Sequence, residues 1–159
     1  MHCFRYEPLG QVHVPQLLDM WGDAEVIRYT NIKTPCTAEQ VKDRVTVLSS
    51  FQVFAVRMAD EILGVVGCLC MDEAKHEYGF FYHFKKAYWN KGIATQAARW
   101  MLQHLTETEP NAVVYSDVVE KNVASEKILQ RLGFQFVSEE ENAFERDGVK
   151  MAIRLYEKR

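Results

Sequence analysis

Hydrophobic and polar positions alternate with two different periods along this chain, and the switches between them mark out its elements. The stretch CFRYEPL alternates as a first strand would, and Pro8 and Gly10 end it. In VPQLLDMWGDAEVIRYT, Leu17, Leu18 and Trp21 share one helical face, which predicts one or two short helices. TPCTAEQVKDRVTVLSS predicts a further helix. Thr37 stands at the cap, Gln40 follows as in a capping box, and Val41, Val45 and Leu48 recur at helical spacing.

The period then shortens. FQVFAVRM and EILGVVGCLCM are β-branched and aliphatic, joined by a turn at Ala59-Asp60, and HEYGFFYHF (residues 76–84) predicts a third, aromatic strand. Helical spacing returns beyond residue 90, where Ala94, Ala97 or Ala98, Met101 and Leu105 form one stripe that Pro110 stops. AVVYSDVV predicts a strand, and NVASEKILQRLG predicts a helix capped by Asn122 and ended by Gly133. FQFVSEE and FERDGVKMAIRLYEK predict the closing strands, the second folded at Asp147-Gly148, a hairpin signal. The order βαα-βββ-αβα-ββ is mixed α/β, without the strict alternation of a doubly wound sheet.

Composition narrows the classes. The 159 residues, 48% hydrophobic and 26% charged, suit one globular domain over residues 1–159. A net charge of −3 with no long like-charge run gives no support for a nucleic-acid partner. The opening MHCFRYEPLG lacks the apolar run of a secretory signal, and the longest apolar run, residues 62–71, is too short to span a bilayer. A cytoplasmic location without membrane contact is therefore expected, with the chain a monomer or a homodimer. Cys3, Cys36, Cys68 and Cys70 lack CxxC spacing and read as free thiols. Cys68 and Cys70 fall on one side of a strand, but no His or Cys cluster completes a metal site, so none is expected.

Candidate chemistry begins at YWNKGIATQA, residues 88–97. Its spacing matches neither a P-loop nor a GxGxxG fingerprint. What remains is a strand, a short connection and a helix with Gly92 in its first turn. Such a helix start has unpartnered N–H groups and partial positive charge, and an anion sits well there. Gly92 permits close backbone approach, Ala94 leaves room, Thr95 offers a hydroxyl and Lys91 a charge. The same residues also serve a plain helix entrance with a solvated lysine, and the segment alone leaves both readings open.

Two segments bear on that choice. Glu77-Tyr78-Gly79-Phe80 leads into Tyr88-Trp89-Asn90-Lys91-Gly92-Ile93-Ala94-Thr95, and Asn122 and Ser125 precede Leu132-Gly133-Phe134. Together they resemble the paired motifs of the GNAT superfamily of N-acetyltransferases, especially its Rim-type branch of ribosomal-protein N-terminal acetyltransferases. That branch has an E-x-G-aromatic strand, then Y-W-x-K-G-x-A-T, and later N-x-x-S and L-G-F. The resemblance runs from about residue 53 onward, and WGDAEVIRYT looks like a segment common in the N-terminal third.

The resemblance implies a three-layer fold: a central, splayed, mostly antiparallel mixed sheet flanked by helices, with acetyl-coenzyme A entering the splay. It implies a pantetheine arm along Phe81, Tyr82 and His83, and a pyrophosphate on the turn Lys91, Gly92, Ile93, Ala94 and Thr95, with Trp89 and Asn90 also among the cofactor-binding residues. Asn122 would bond the pantetheine amides besides capping its helix, and Ser125, Lys127 and Arg131 would meet the cofactor from the same helix. For Lys127 and Arg131 a solvated helix face is the alternative. Many superfamily members have Gln or Arg at the Trp89 position.

The implied reaction transfers acetyl to a primary amine, either a protein N-terminus or a small molecule. A lysine side chain costs about 4.6 kcal/mol to deprotonate at pH 7 and an α-amine only about 1, so a modest base suffices for the latter. Glu77 matches the family's acidic position as that base, or is a surface carboxylate paired with Lys75. The family's usual proton donor, a tyrosine four residues before the glycine of L-G-F, is replaced here by Leu129. Ser125 is the substitute donor and Tyr82 the second candidate. His83 is a structural histidine or a proton handler. The missing tyrosine also admits a different class, a non-catalytic acyl-coenzyme A sensor.

Overall fold

A computed structural model describes residues 2–159. Seven strands form one sheet in the order β1-β2-β3-β4-β5-β7-β6. The strands are β1 (Arg5–Pro8), β2 (Gln52–Met58), β3 (Glu61–Asp72), β4 (Glu77–Phe84), β5 (Val113–Val119), β6 (Gln135–Arg146) and β7 (Val149–Lys158). Helices α1 (Val14–Trp21) and α2 (Ala38–Leu48) follow β1, α3 (Ile93–Thr108) follows β4, and α4 (Val123–Arg131) follows β5. No described helix is long and apolar enough to cross a membrane.

Local chemistry sets the helix ends. Thr37 Oγ1 accepts from the Gln40 N–H at 3.3 Å while Gln40 Oε1 accepts from the Thr37 N–H at 2.9 Å, the reciprocal box expected for α2. At the end of α4, Gly133 takes φ +89°, and the N–H groups of Phe134 and Gly133 return to the carbonyls of Leu129 and Gln130. This is a Schellman stop, sealed by the burial of Phe134 with Leu129 in one core. α3 stops at Thr108, two residues before Pro110.

Each face of the sheet is covered by its own apolar layer, which makes the fold three layers deep. α1 and α2 bury Leu17, Met20, Trp21, Val41 and Val45 against Val53, Ala55 and Val65. α3 and α4 bury Ile93, Ala97, Ala98, Met101 and Leu129 against Val66, Phe80, Val114 and Tyr156. Full burial of each Val, Leu, Ile, Met or Phe among them contributes about 1.5–3 kcal/mol, and of each Ala less.

Four details differ from the sequence reading. Residues 22–30, expected to be partly helical, are turns after α1, and Leu18 is only half-buried beside the fully buried Leu17 and Trp21. The closing strands are one long β6 and β7; a register shift between Glu140 and Phe144, with Asn142 at φ +56°, lets β6 run through the expected break. Ala97 and Ala98 are both buried and Ala94 half-buried. Cys68 is buried and Cys70 exposed, because β3 reaches the sheet's end there.

All neighbouring strands are antiparallel except β4 and β5. That parallel pair is short: Glu77, Tyr78 and Gly79 face Val113, Val114 and Tyr115, and pairing stops. Ser116 Oγ donates to the Phe80 carbonyl at 3.1 Å immediately beyond. From Phe81 onward the two strands diverge, leaving the β5-side backbone edge of Phe81–Phe84 open.

Candidate active site

The divergence of β4 from β5 makes a V, and β4 runs from its apex to Phe84, from which a single 3-10 turn, Lys86–Tyr88, leads to the turn before α3. Trp89 anchors that turn, its Nε1–H donating to the Phe84 carbonyl at 2.9 Å. Asn90 and Gly92 both lie at positive φ, +60° and +76°. Among the described residues, none of the six backbone N–H groups from Asn90 to Thr95 has a protein acceptor. Gln96 N–H is the first to bond back, to the Gly92 carbonyl at 3.1 Å. Alternating left-handed residues turn successive N–H groups toward one concavity, and the helix start adds partial positive charge. The sequence-predicted turn residues Asn90, Lys91, Gly92, Ile93, Ala94 and Thr95 are thus gathered into one donor surface. Lys91 is exposed beside it. A Cβ added at Gly92 would meet nothing within 4 Å, so the space above the turn is open.

Strand alternation divides the β4 side chains between the two faces. Tyr82 points toward α3 and α4, where its hydroxyl lies 3.0 Å from Ser125 Oγ. Burial pushes the Tyr82 phenol up despite the Ser125 bond, so it stays protonated at neutral pH. Asn122 caps α4, its Oδ1 accepting from the Ser125 N–H at 3.4 Å. The first turn of α4 is held from behind by Glu126, which accepts from Arg154 Nη1 at 3.0 and 3.2 Å and from the Tyr156 hydroxyl at 2.5 Å. Ser125 and Tyr82 therefore form a fixed pair spanning the V. Leu129, at the position where the family pattern has tyrosine, is sealed in the core at 1% exposure.

Phe81 and His83 point to the other face, toward α1 and α2. Trp21 Nε1–H donates to His83 Nδ1 at 3.0 Å. An indole N–H only donates, so the His83 proton is on Nε2. Burial first, then the charge of Arg44, pushes His83 down to about 4. The Arg44 guanidinium itself lies 5.5 Å from the Trp21 ring centroid. His83 is thus a neutral N–H donor at physiological pH.

Glu77 lies on this same face but at the zipped end of the pair, opposite Val113. Its carboxylate faces the Tyr115 phenol, which burial and then Glu77 push up. Lys75 is not paired with it. Phe81 is four residues further along β4, about 13 Å at 3.3 Å per residue. Asp117 is nearer the opening. It lies two residues past the last paired position of β5, on the Tyr115 face; its side chain is exposed at the surface, and partial desolvation pushes its carboxyl up. Sequence reasoning passed over Asp117; the signal was a lone charge in the apolar strand AVVYSDVV. Trp21 stands in the sequence as one residue of an apolar helical face, and its bond to His83 connects residues 62 apart, which no local pattern encodes.

Lys127 is exposed on α4. Arg131 lies outside the donor turn itself. It shares a groove with Arg99, Leu102, Gln103 and Thr106 of α3, and the groove begins at Arg99, six residues, about 9 Å, down the helix from Ile93.

Residues 4–135 match the family model described as the acetyltransferase (GNAT) domain. A curated relative from Bacillus licheniformis, "Uncharacterized N-acetyltransferase p20", is 25% identical over 128 residues, covering 75% of this chain and 71% of its own. Among solved structures, a GNAT-family acetyltransferase from Bacillus anthracis superposes with a TM-score of 0.87 at 15% identity, covering 97% of this chain and 93% of that one. RimL, a ribosomal L7/L12 alpha-N-protein acetyltransferase in complex with coenzyme A, superposes with a TM-score of 0.85 at 14% identity, covering 98% and 93%.

Proposed function

The chain belongs to the acetyltransferase (GNAT) domain family and is by that membership an acyltransferase, and we propose that it transfers acetyl from acetyl-coenzyme A to a primary amine by direct attack on the thioester. The observation that carries the cofactor half is the run of six unpartnered N–H groups at the mouth of α3. Several charge-assisted bonds to one diphosphate, each about 1.5–3 kcal/mol, outweigh what a helix end alone gives a nearby charge. The open β4 edge accepts and donates to the pantetheine amides as a neighbouring strand would, which points the thioester at the apex near Phe80. The RimL structure holds coenzyme A, which supports the same cosubstrate here.

The two faces of β4 divide the chemistry. Tyr82 and Ser125, hydrogen-bonded to each other, stand on the α3–α4 side and supply the proton that the departing thiolate takes. A phenol from β4 thereby occupies the role that Leu129 leaves empty on α4. The amine approaches from the α1–α2 side, where Asp117 and Glu77 are the carboxylates able to take its proton through water. Asp117 is the better placed, since it lies past the apex and Glu77 before it. His83, as a neutral donor, orients a carbonyl oxygen and takes no proton. The acceptor is an α-amine, of a protein N-terminus or of a small molecule, favoured over a lysine side chain because its deprotonation at neutral pH costs only about 1 kcal/mol.

Incubation with acetyl-coenzyme A and a panel of N-terminal peptides and small amines, read by free-thiol release, tests this directly. Release with at least one amine supports transfer. Tight cofactor binding with no release for any amine would instead fit an acyl-coenzyme A sensor.

A further inference from the structure

Arg131, expected to meet the cofactor or to stand on a solvated helix face, lines a groove with other cations. A groove of about 300 Å³ runs between α3 and the end of α4, lined by Arg99, Gln103, Arg131 and Lys158 over a floor of Leu102 and Leu132. Its three cations come from three separate elements. Among the described residues none of them has a carboxylate within ion-pair distance.

For the two arginines that is unusual within this chain. Arg5 donates to the Ala59 carbonyl, and Arg146 donates to the carbonyls of Ile27, Thr30 and Ile32. Arg28 and Arg44 lie over the rings of Tyr29 and Trp21. Arg57, Arg154 and Arg159 hold glutamates. Arg99 and Arg131 are the arginines left without a described partner, and both open on the same groove with Lys158. Glu157 pairs with Arg159, and Glu107 accepts from Nε2 of the groove-lining Gln103 at 3.3 Å rather than from any of the three cations. Like charges brought together in a concave, partly apolar place repel one another, and an anion between them relieves that repulsion.

We propose that the groove between α3 and α4 is a second binding site, distinct from the donor turn, for a compact polyanion with phosphoryl or carboxylate oxygens. Guanidinium forks fit both oxygen types in bidentate fashion, and Lys158 adds a point charge. The volume suits a small metabolite. The leucine floor favours one whose charged groups sit on a short carbon frame. Because α3 carries the donor turn at its N-terminus and the groove begins at Arg99, about one helical turn after Thr95, occupancy here bears on the helix that holds the cofactor, without sharing a residue with that turn.

The test is calorimetric titration with pyrophosphate and, separately, with citrate, at low salt and with the protein saturated with coenzyme A so that the donor turn is filled. Binding of either anion is expected, weakened at least tenfold by Arg99→Gln and again by Lys158→Gln, and weakened by added potassium chloride. Coenzyme A affinity measured in the same variants should not change. Binding of pyrophosphate alone identifies a phosphoryl ligand, and of citrate alone a polycarboxylate. Both are exposed or half-exposed positions; should one variant fold poorly, the other carries the same comparison. The proposal is overturned if neither anion binds up to about 10 mM, or if saturating coenzyme A abolishes binding, or if both variants bind as the parent does. None of these outcomes touches the amine assay above.

Discussion

Placing a negative charge at residue 92 is the sharpest test of the donor turn. Gly92 sits at φ +76° with open space where a side chain would go. Asn and Asp both tolerate this left-handed conformation, so Gly92→Asn and Gly92→Asp share the backbone strain and differ mainly in one charge. A carboxylate about 5 Å from a phosphate, at an effective dielectric near 20, is repelled by about 3.3 kcal/mol. That corresponds to roughly a 250-fold loss of affinity, at 1.36 kcal/mol per tenfold. The Asn variant should bind coenzyme A within about tenfold of the parent, since it disturbs the six N–H donors only by bulk. Calorimetric titration of both variants gives the ratio, and thermal unfolding checks that each remains folded. If the Asp variant binds within threefold of the Asn variant, no diphosphate rests on this turn.

Other consequences are equally open to measurement. Ser125→Ala and Tyr82→Phe should each lower kcat by about 10–100-fold with little change in cofactor affinity, and the double variant should fall short of the product of the two, since the hydroxyls bond each other; independent effects would remove the pair as a unit. Asp117→Asn should lower kcat more than Glu77→Gln does in a pH-rate series, and full activity of the Asp117 variant across pH 6–9 would exclude it as base. His83, with its folded value pushed down to about 4, should show no ring titration by NMR near neutrality. Because the unfolded chain takes up that proton at about pH 6.5 and the folded one does not, stability is fully present above pH 6.5 and falls by up to about 3 kcal/mol toward pH 4. Replacing His83 with Gln should flatten that slope in urea melts. Arg146→Ala, which frees the carbonyls of Ile27, Thr30 and Ile32, should cost about 2 kcal/mol, and Arg146→Lys should recover less than half of it.

Element order was legible in the sequence because each element carries a local cause. The Thr37–Gln40 box, the Gly133 stop and the period change after residue 50 need no tertiary information. The donor turn was legible for the same reason, since it is contiguous. What lay beyond reach is pairwise and long-range: Trp21 with His83, Tyr82 with Ser125, and Arg146 with the α1–α2 segment. The placement of Arg131 is a further case. Helical spacing put it on the Ser125 helix, but only the packing of α4 against α3 decides what its far end meets.

The seam between β4 and β5 joins the first four strands to the last three through three residue pairs and one serine hydroxyl. A flat molecule lying along the open edge of β4 would act there as an eighth strand, completing a surface the polypeptide leaves interrupted. Amide protons on both sides of the seam should therefore exchange more slowly when coenzyme A is present, and heat tolerance should rise with its concentration. In this architecture the rigidity of the seam becomes a readout of how much of that molecule is bound.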